Sequence, residues 1–470
     1  MNKMKNNCYG ICFFISVAIN ILLCIGIYLY IGGARRRDMK QEISWQSSLA
    51  LTWTEKAAAE AEAVAAASCS GHGRAFVDRL TSDGQPVCEC FNCYSGSDCS
   101  VNSLECAAVV TSGDLTFLEP FWIQNAANTA VVISGWHRMS YNYAHGTKML
   151  TELENCIRKL HSIARNAVTE GRYMVFGVGS AQLLSAAVYA LSSGNSSSPS
   201  NVLASIPFYW LFRDQTSFFS SKYFEFEGNT NSLQSKNSTN NQDVIEFVTS
   251  PNNPDGELKK PVFGGKAIYD QVFYWPHFTP IPEPSDQDIM IFSLSKLTGH
   301  AGSRFGWAII KDRDVYEKML LYISMSDVGI SQDTQLRALK ILETTIDEDG
   351  KPFFEFAYTK MTERWDRLTS AFSKSTRFSL QNRHPFHCNY FNETRLPTPA
   401  FAWVKCEREE DNDCRAVLEA GKIISLSGSR LSATDRYTRV SLTVRQDDFE
   451  LLMMRFTNLI SLENGSLQTM

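Results

Sequence analysis

The sequence predicts an α/β core, a mostly parallel sheet flanked by helices, with a smaller α+β C-terminal domain behind it. A cysteine-rich module and an apolar N-terminal segment precede this core. Three observations carry the prediction. Between residues 151 and 310 short apolar runs alternate with amphipathic stretches, as parallel strands and their crossover helices do. A glycine turn, Gly177-Val178-Gly179, joins one such run to a helical pattern. Six of the 13 cysteines lie between Cys69 and Cys106. At 470 residues, 44% hydrophobic and 12% aromatic, the chain can bury two or three globular cores. A formal charge of −5, with no stretch that resembles a basic face for phosphates, argues against a general nucleic-acid binder.

In chain order, a tail (1–8) leads into residues 9–31, apolar apart from Ser16 and Asn20 and long enough to cross a bilayer. A cleaved signal peptide is the alternative; the length and the lack of a small-residue cleavage site favour a retained single-pass anchor. Arg35, Arg36, Arg37 and Lys40 outnumber Lys3 and Lys5, a bias that would leave the body in the cytosol. The cysteines, and Asn-x-Ser/Thr sequons at Asn195, Asn237, Asn392 and Asn464, fit the lumen of the endoplasmic reticulum and secretory pathway, which we favour. Residues 32–68, rich in Ala and Glu, read as a stalk or as one amphipathic helix lying on the body. In residues 69–106 the cysteines and interleaved glycines read as a disulfide framework. Zinc at Cys88-x-Cys90-x2-Cys93 is the lesser alternative, because no second pair completes a tetrahedral set.

Residues 107–150 form the first part of the small domain, 151–355 the large domain and 356–470 the C-terminal small domain. Within the large domain, 151–166 reads as an amphipathic helix, 173–176 as a buried strand and 183–191 as a helix. Further strands are expected at 201–206, 244–248, 266–269, 289–294 and 307–310. Polar loops fall at 194–200 and 229–241, a helix-rich stretch at 315–367, and late strands at 400–404 and 439–444.

The chemistry centres on Ser293-Leu294-Ser295-Lys296-Leu297-Thr298-Gly299-His300, followed by Arg304. A lysine among hydroxyls, with an arginine eight residues on, suits pyridoxal phosphate: the lysine bonds the aldehyde while Ser293, Ser295 and Arg304 hold the phosphate. The turn Gly177-Val178-Gly179-Ser180-Ala181-Gln182 before a helix adds backbone N–H groups, with Ser180 and Gln182 as side-chain donors; a plain strand-to-helix turn looks similar. Asp270 ends an apolar strand, where a carboxylate would keep the pyridine nitrogen protonated; taken alone, it also suits a turn cap. Asn253, in Pro251-Asn252-Asn253-Pro254, is a donor to the phenolic oxygen, and Tyr209 is an aromatic to stack on the ring.

Several segments carry a resemblance: Cys69-Ser70-Gly71-His72-Gly73-Arg74-Ala75, Trp136-His137-Arg138-Met139-Ser140-Tyr141, Ser250-Pro251-Asn252-Asn253-Pro254, Tyr274-Trp275-Pro276-His277 and the lysine motif. With them the chain resembles plant alliinases and tryptophan aminotransferase-related proteins from about Cys69 onward. The resemblance implies the type I fold of PLP-dependent transferases, preceded by an EGF-like module paired Cys69–Cys88, Cys90–Cys99 and Cys93–Cys106, with a further disulfide Cys406–Cys414. It implies that Lys296 carries the cofactor, Asp270 faces its ring nitrogen, Asn253 its phenolic oxygen and Arg304 its phosphate. Arg439 would grip the substrate carboxylate with help from Ser112 and Gly113, and Tyr141 would reach the other subunit's site in a homodimer. Two positions depart from the family: Phe273, where a tyrosine usually stands, and Ala181, where a threonine is common.

The reaction implied is transamination of an L-amino acid with a 2-oxo acid acceptor, with Lys296 moving the Cα proton. Tryptophan to indole-3-pyruvate, a step of auxin formation, is the expected instance, because a membrane anchor ahead of the module resembles the aminotransferase-related branch. The alternatives are β-elimination from a cysteine sulfoxide, a carbon–sulfur lyase activity, and a catalytically inactive, membrane-tethered binding protein.

Overall fold

The structure, a computed structural model, describes residues 51–467 apart from 104, 145, 193–197 and 232–242. The anchor expected at 9–31 lies outside these residues; among those described, no helix is long and apolar enough to cross a membrane. The chain divides into two compact units, the first ending at Glu89 and the second running from Cys90.

In the first unit a capping box starts helix Trp53–Ala65: the Thr52 hydroxyl accepts from the Glu55 N–H, and the Glu55 carboxylate accepts from the Thr52 N–H. Only Val64 of this helix is buried, as its Ala/Glu composition requires. Strands Gly73–Leu80 and Pro86–Cys90 pair as a hairpin. A lone hairpin is marginal in water, and the Cys69–Cys88 disulfide constrains this one covalently.

The second unit opens with disulfides Cys90–Cys99 and Cys93–Cys106, so the cysteines weighed for zinc are all committed to sulfur partners. Next, Ala108–Val109 pairs in parallel with Ile423–Ile424, which stitches this early segment to the C-terminal domain.

The large domain is built on seven strands: β1 (Tyr173–Gly177), β2 (Ser200–Ala204), β3 (Phe224–Asn229), β4 (Val244–Thr249), β5 (Lys266–Asp270), β6 (Ile289–Ser293) and β7 (Gly306–Ile310). Their order is β1-β7-β6-β5-β4-β2-β3. All neighbours are parallel except β7, which runs against both β6 and β1. A parallel return needs a crossover of a dozen or more residues, usually a long helix. Between β6 and β7 the chain offers only the one-turn helix Leu294–Leu297 and a short 3-10 turn, so it doubles back. The edge strand β3 was not anticipated from the sequence. It alternates Phe224 and Phe226 with Glu225 and Glu227, a charged pattern that discourages edge pairing. Helices Thr151–Ala164, Gly179–Leu191 and Arg313–Ser326 supply apolar side chains to the cores on either side of the sheet.

The small domain carries a four-stranded antiparallel sheet: β8 (Phe378–Ser379), β9 (Phe401–Cys406), β10 (Leu426–Ser427) and β11 (Tyr437–Ser441), in the order β8-β9-β11-β10. Disulfide Cys406–Cys414 ties the end of β9 to helix Cys414–Ala420. Thr249, Asp270 and Ser293 end three adjacent parallel strands, the edge at which open α/β sheets bind ligands.

Candidate active site

Lys296 stands three residues beyond β6. The Ser293 hydroxyl caps helix Leu294–Leu297 by accepting from the Ser295 N–H at 3.2 Å. Leu294 and Leu297 are buried in the core, while the Lys296 amine reaches a cavity of about 220 Å³ and donates to the Gly113 carbonyl. Burial pulls its pKa down to about 8, against the opposing pull of Asp114 and Asp270. Asp270 lines the same cavity; burial pushes its carboxyl up to about 7, although the Val272 N–H points at it and Lys296 is near. A buried acid and a buried amine whose pKa values converge mark a site prepared for proton chemistry.

Arg439, on β11, closes the opposite wall. Its guanidinium donates to Asn253 Oδ1 at 3.0 Å and to the Thr111 carbonyl at 2.7 Å, and lies 4.0 Å from the Phe401 ring centroid. Burial lowers its pKa to about 10, which leaves it cationic at neutral pH, and its Nε has no hydrogen-bond partner. An arginine held by neutral oxygens alone is an anion receptor. Phe273 and Phe401 meet edge-on at 5.6 Å to form the apolar wall, and the Phe273 ring centroid is 5.9 Å from the Lys296 amine.

The remaining corner is the start of helix Gly179–Leu191. No side chain caps it at Val178, so its first-turn N–H groups remain free to meet an anion. Gly179 has φ +71°, and a Cβ there would come within 2.6 Å of the Arg304 guanidinium; a Cβ on Gly306 would come within 3.0 Å of the Ser180 nitrogen. Those two glycines let β7 and Arg304 approach the helix end. Arg304 is exposed and makes only 3.4 Å contacts with the Ala301 and Val178 carbonyls. Ser180 lines the cavity, and the buried Ser295 hydroxyl has no partner. Cation, helix start and unpaired hydroxyl fit a phosphate dianion, while Asp270 and Lys296 fit a ring nitrogen and an aldehyde. The donor set therefore suits pyridoxal phosphate.

Of the expected site residues, Lys296, Asp270, Asn253, Tyr209, Ser180, Gly113 and Arg439 share this cavity. Tyr209 is held above its ordinary pKa by burial. Ser293 is spent as a helix cap and on the Phe305 carbonyl. Gln182 turns elsewhere: its Oε1 accepts from the Val178 N–H and its Nε2 donates to Ser326 and Asp327. Ser112 is exposed and donates to Asp114. Tyr141 is 78% exposed and borders a different groove, with Arg138 and Asp333.

Sequence reasoning passed over Thr249, Thr111, Trp210 and Phe401, which also line the cavity, and Asp114. Thr249 is buried, its hydroxyl has no partner, and it pairs in register with Asp270. The available signal was its position directly before Ser250-Pro251 at the end of an apolar run.

Comparison with known proteins gives consistent matches. The profile of the family described as Allinase covers residues 108–460, and that of the Alliinase EGF-like domain covers residues 52–106. The chain is 48% identical to tryptophan aminotransferase-related protein 4 of Arabidopsis thaliana, over 95% of each chain. It is also 48% identical to an alliin lyase of Allium cepa var. aggregatum, over 86% of this chain and 93% of that one. An aspartate aminotransferase from Thermus thermophilus shares the fold with a TM-score of 0.55 at 15% identity, over 75% of this chain and 91% of the other.

Proposed function

The chain belongs to the alliinase family, whose members are pyridoxal-phosphate enzymes, and from that premise we propose that it is an aminotransferase for an L-amino acid, with tryptophan the favoured donor and a 2-oxo acid the acceptor. The observation that carries the reading is the convergence of Lys296, Asp270 and Arg439 on one cavity. Support for transamination comes from the relative named for tryptophan aminotransferase, matched over 95% of both chains.

Bound here, pyridoxal phosphate supplies an aldehyde that captures amines and a ring that accepts electrons from Cα. Lys296, Ser295, Ser180, Arg304, Asp270 and Asn253 are the residues that would hold it. Burial makes the Lys296 amine a usable base near neutral pH, because a pKa of about 8 leaves an appreciable neutral fraction. Its contact with the Gly113 carbonyl fixes that amine inside the cavity. Asp270 would regain its charge opposite a cation and would then keep a proton on the ring nitrogen of the bound group. Arg439 receives the substrate carboxylate, and Phe273 with Phe401 keeps water from the reacting carbon.

A carbon–sulfur lyase is the second reading, favoured by 48% identity to an alliin lyase. The two part at one measurement. Purified protein given tryptophan and pyruvate is expected to form indole-3-pyruvate; release of pyruvate from an S-alkyl cysteine sulfoxide without transamination would replace the proposal with the lyase.

We also propose a homodimer tethered by residues 9–31, with its body in the secretory lumen. Trp136, Met139 and Tyr141 are exposed by 72%, 85% and 78%, apolar surface of the kind that a second copy covers. Light scattering of the purified protein should return twice the chain mass, and a monomer would refute the dimer.

A further inference from the structure

Trp210 lines the Lys296 cavity beside Tyr209, the two ring centroids 5.4 Å apart and the rings steeply inclined. It stands at the start of helix Leu211–Phe218, whose first turn brings Asp214 back onto the same side: the Asp214 N–H donates to the Trp210 carbonyl at 3.2 Å. Two arginines share the Asp214 carboxylate. One oxygen accepts from Arg213 Nε at 2.9 Å, and the other lies 2.9 Å from Arg430 Nη2. Arg430 comes from the small domain, and its guanidinium carbon is 4.2 Å from the Trp210 ring centroid.

Arg430 is itself fixed. It sits in the turn Ser429–Leu431 between β10 and β11, where the Gly428 N–H donates to the Tyr437 carbonyl at 2.9 Å and the Ser429 N–H to the Asp435 carboxylate at 3.0 Å. The Leu431 carbonyl accepts from the Phe208 N–H at 3.1 Å, a bond that crosses from the small domain to the segment carrying Trp210. A cation over an indole is drawn to its electron-rich face, and the ion pair with Asp214 keeps that cation in place. Arg430 does not line the cavity, so it acts on a bound molecule only through the indole. Joining the two domains accounts for the Phe208–Leu431 bond and the Arg430–Asp214 pair, but not for an indole in the cavity wall.

The rest of the lining indicates what such a ring selects. Its two cations, Lys296 and Arg439, meet the cofactor and the substrate carboxylate, and among the described residues no third cation lines the cavity to receive an acidic side chain. Tyr209, Trp210, Phe273 and Phe401 offer aromatic surface instead, and aromatic rings pair more favourably than their buried area alone requires. We propose that Trp210 is the specificity-determining wall for the substrate side chain, favouring an aromatic one over a small aliphatic one, and that Arg430 is the positioning residue that holds it. The proposal rests on the amino-acid reading of the cavity and deepens it. One hairpin of the small domain then measures both ends of the substrate: Arg439 the carboxylate and Arg430, through Trp210, the side chain.

The test reads binding rather than turnover, on protein loaded with pyridoxal phosphate. α-Methyl-L-tryptophan and 2-aminoisobutyrate, amino acids with no Cα hydrogen to lose, are titrated by calorimetry. The wild-type protein should bind the first more tightly. Arg430→Gln should cut that preference about fivefold, and Arg430→Lys, which keeps the charge, by less. Trp210→Ala, or Trp210→Leu should the first variant fail to fold, should cut it at least as far as Arg430→Gln. Adding Arg430→Gln to the Trp210 variant should then change nothing more, because its influence passes through the ring. An unchanged preference in the single variants, or effects that add, would overturn the proposal and leave the amino-acid site standing. Wild-type protein that binds neither compound would overturn it together with the amino-acid reading.

Discussion

Burial at Asp270 and Lys296 gives the cofactor-free protein a pH dependence of definite sign. The folded pKa of Asp270, about 7, lies above the ordinary 3.8, so its contribution to stability is full below about pH 4 and is lost as pH rises through about 7. Lys296 is displaced the other way, from 10.5 to about 8, so the stability it costs at neutral pH returns only as pH rises from about 8 towards 10.5. Thermal unfolding of cofactor-free protein should therefore show a falling Tm from pH 4 to 7, and Asp270→Asn should flatten that fall while lowering kcat by about 10³-fold. A wild-type slope retained in the variant would place the titrating group elsewhere. Thr249→Val is expected to leave Tm unchanged or higher, since it removes an unpaired buried hydroxyl, yet to weaken pyridoxal-phosphate binding by about tenfold in an absorbance titration. At this scale Lys296 was legible from its local context of hydroxyls and glycines, whereas Asp270 taken alone also suited a turn cap and Arg439 was reached only through the family resemblance. Thr249 was not, because a threonine ending an apolar run looks like any strand residue until its register with Asp270 is known.

The phosphate corner depends on two elements meeting, helix Gly179–Leu191 and the start of β7. Gly179→Ala would set a Cβ against Arg304 at a backbone angle that alanine resists, so pyridoxal phosphate should bind at least tenfold more weakly. Pyridoxal without the phosphate should bind variant and parent alike; equal loss for both ligands would show a general collapse of the site instead. Most of the central strands were readable as apolar runs bounded by turns, and the helix after β1 was readable except for its first turn, where glycine and serine hide the helical start. The reversal of β7 was not readable, because direction depends on whether the β6–β7 connection can cross the sheet. Edge strand β3 escaped because alternating Phe and Glu over so few residues reads equally as loop.

For the whole molecule, the resemblance carried by residues scattered from Cys69 to His300 implied the fold and placed Arg439 at the substrate, but not how the small domain is joined to the cavity. That relation is a matter of long-range pairing: Ala108–Val109 against Ile423–Ile424, and Arg439 against Thr111 and Asn253. Substrate choice belongs to the same scale, since Phe401 and Phe273 come from different domains to form one wall. All of the proposed chemistry requires that Lys296 be the residue that takes the cofactor. Hydride reduction of the protein loaded with pyridoxal phosphate, followed by peptide mapping, tests this most directly. We expect the reduced adduct on Lys296 alone and none in Lys296→Ala; an adduct on another lysine, or none on the wild-type chain, would contradict the account.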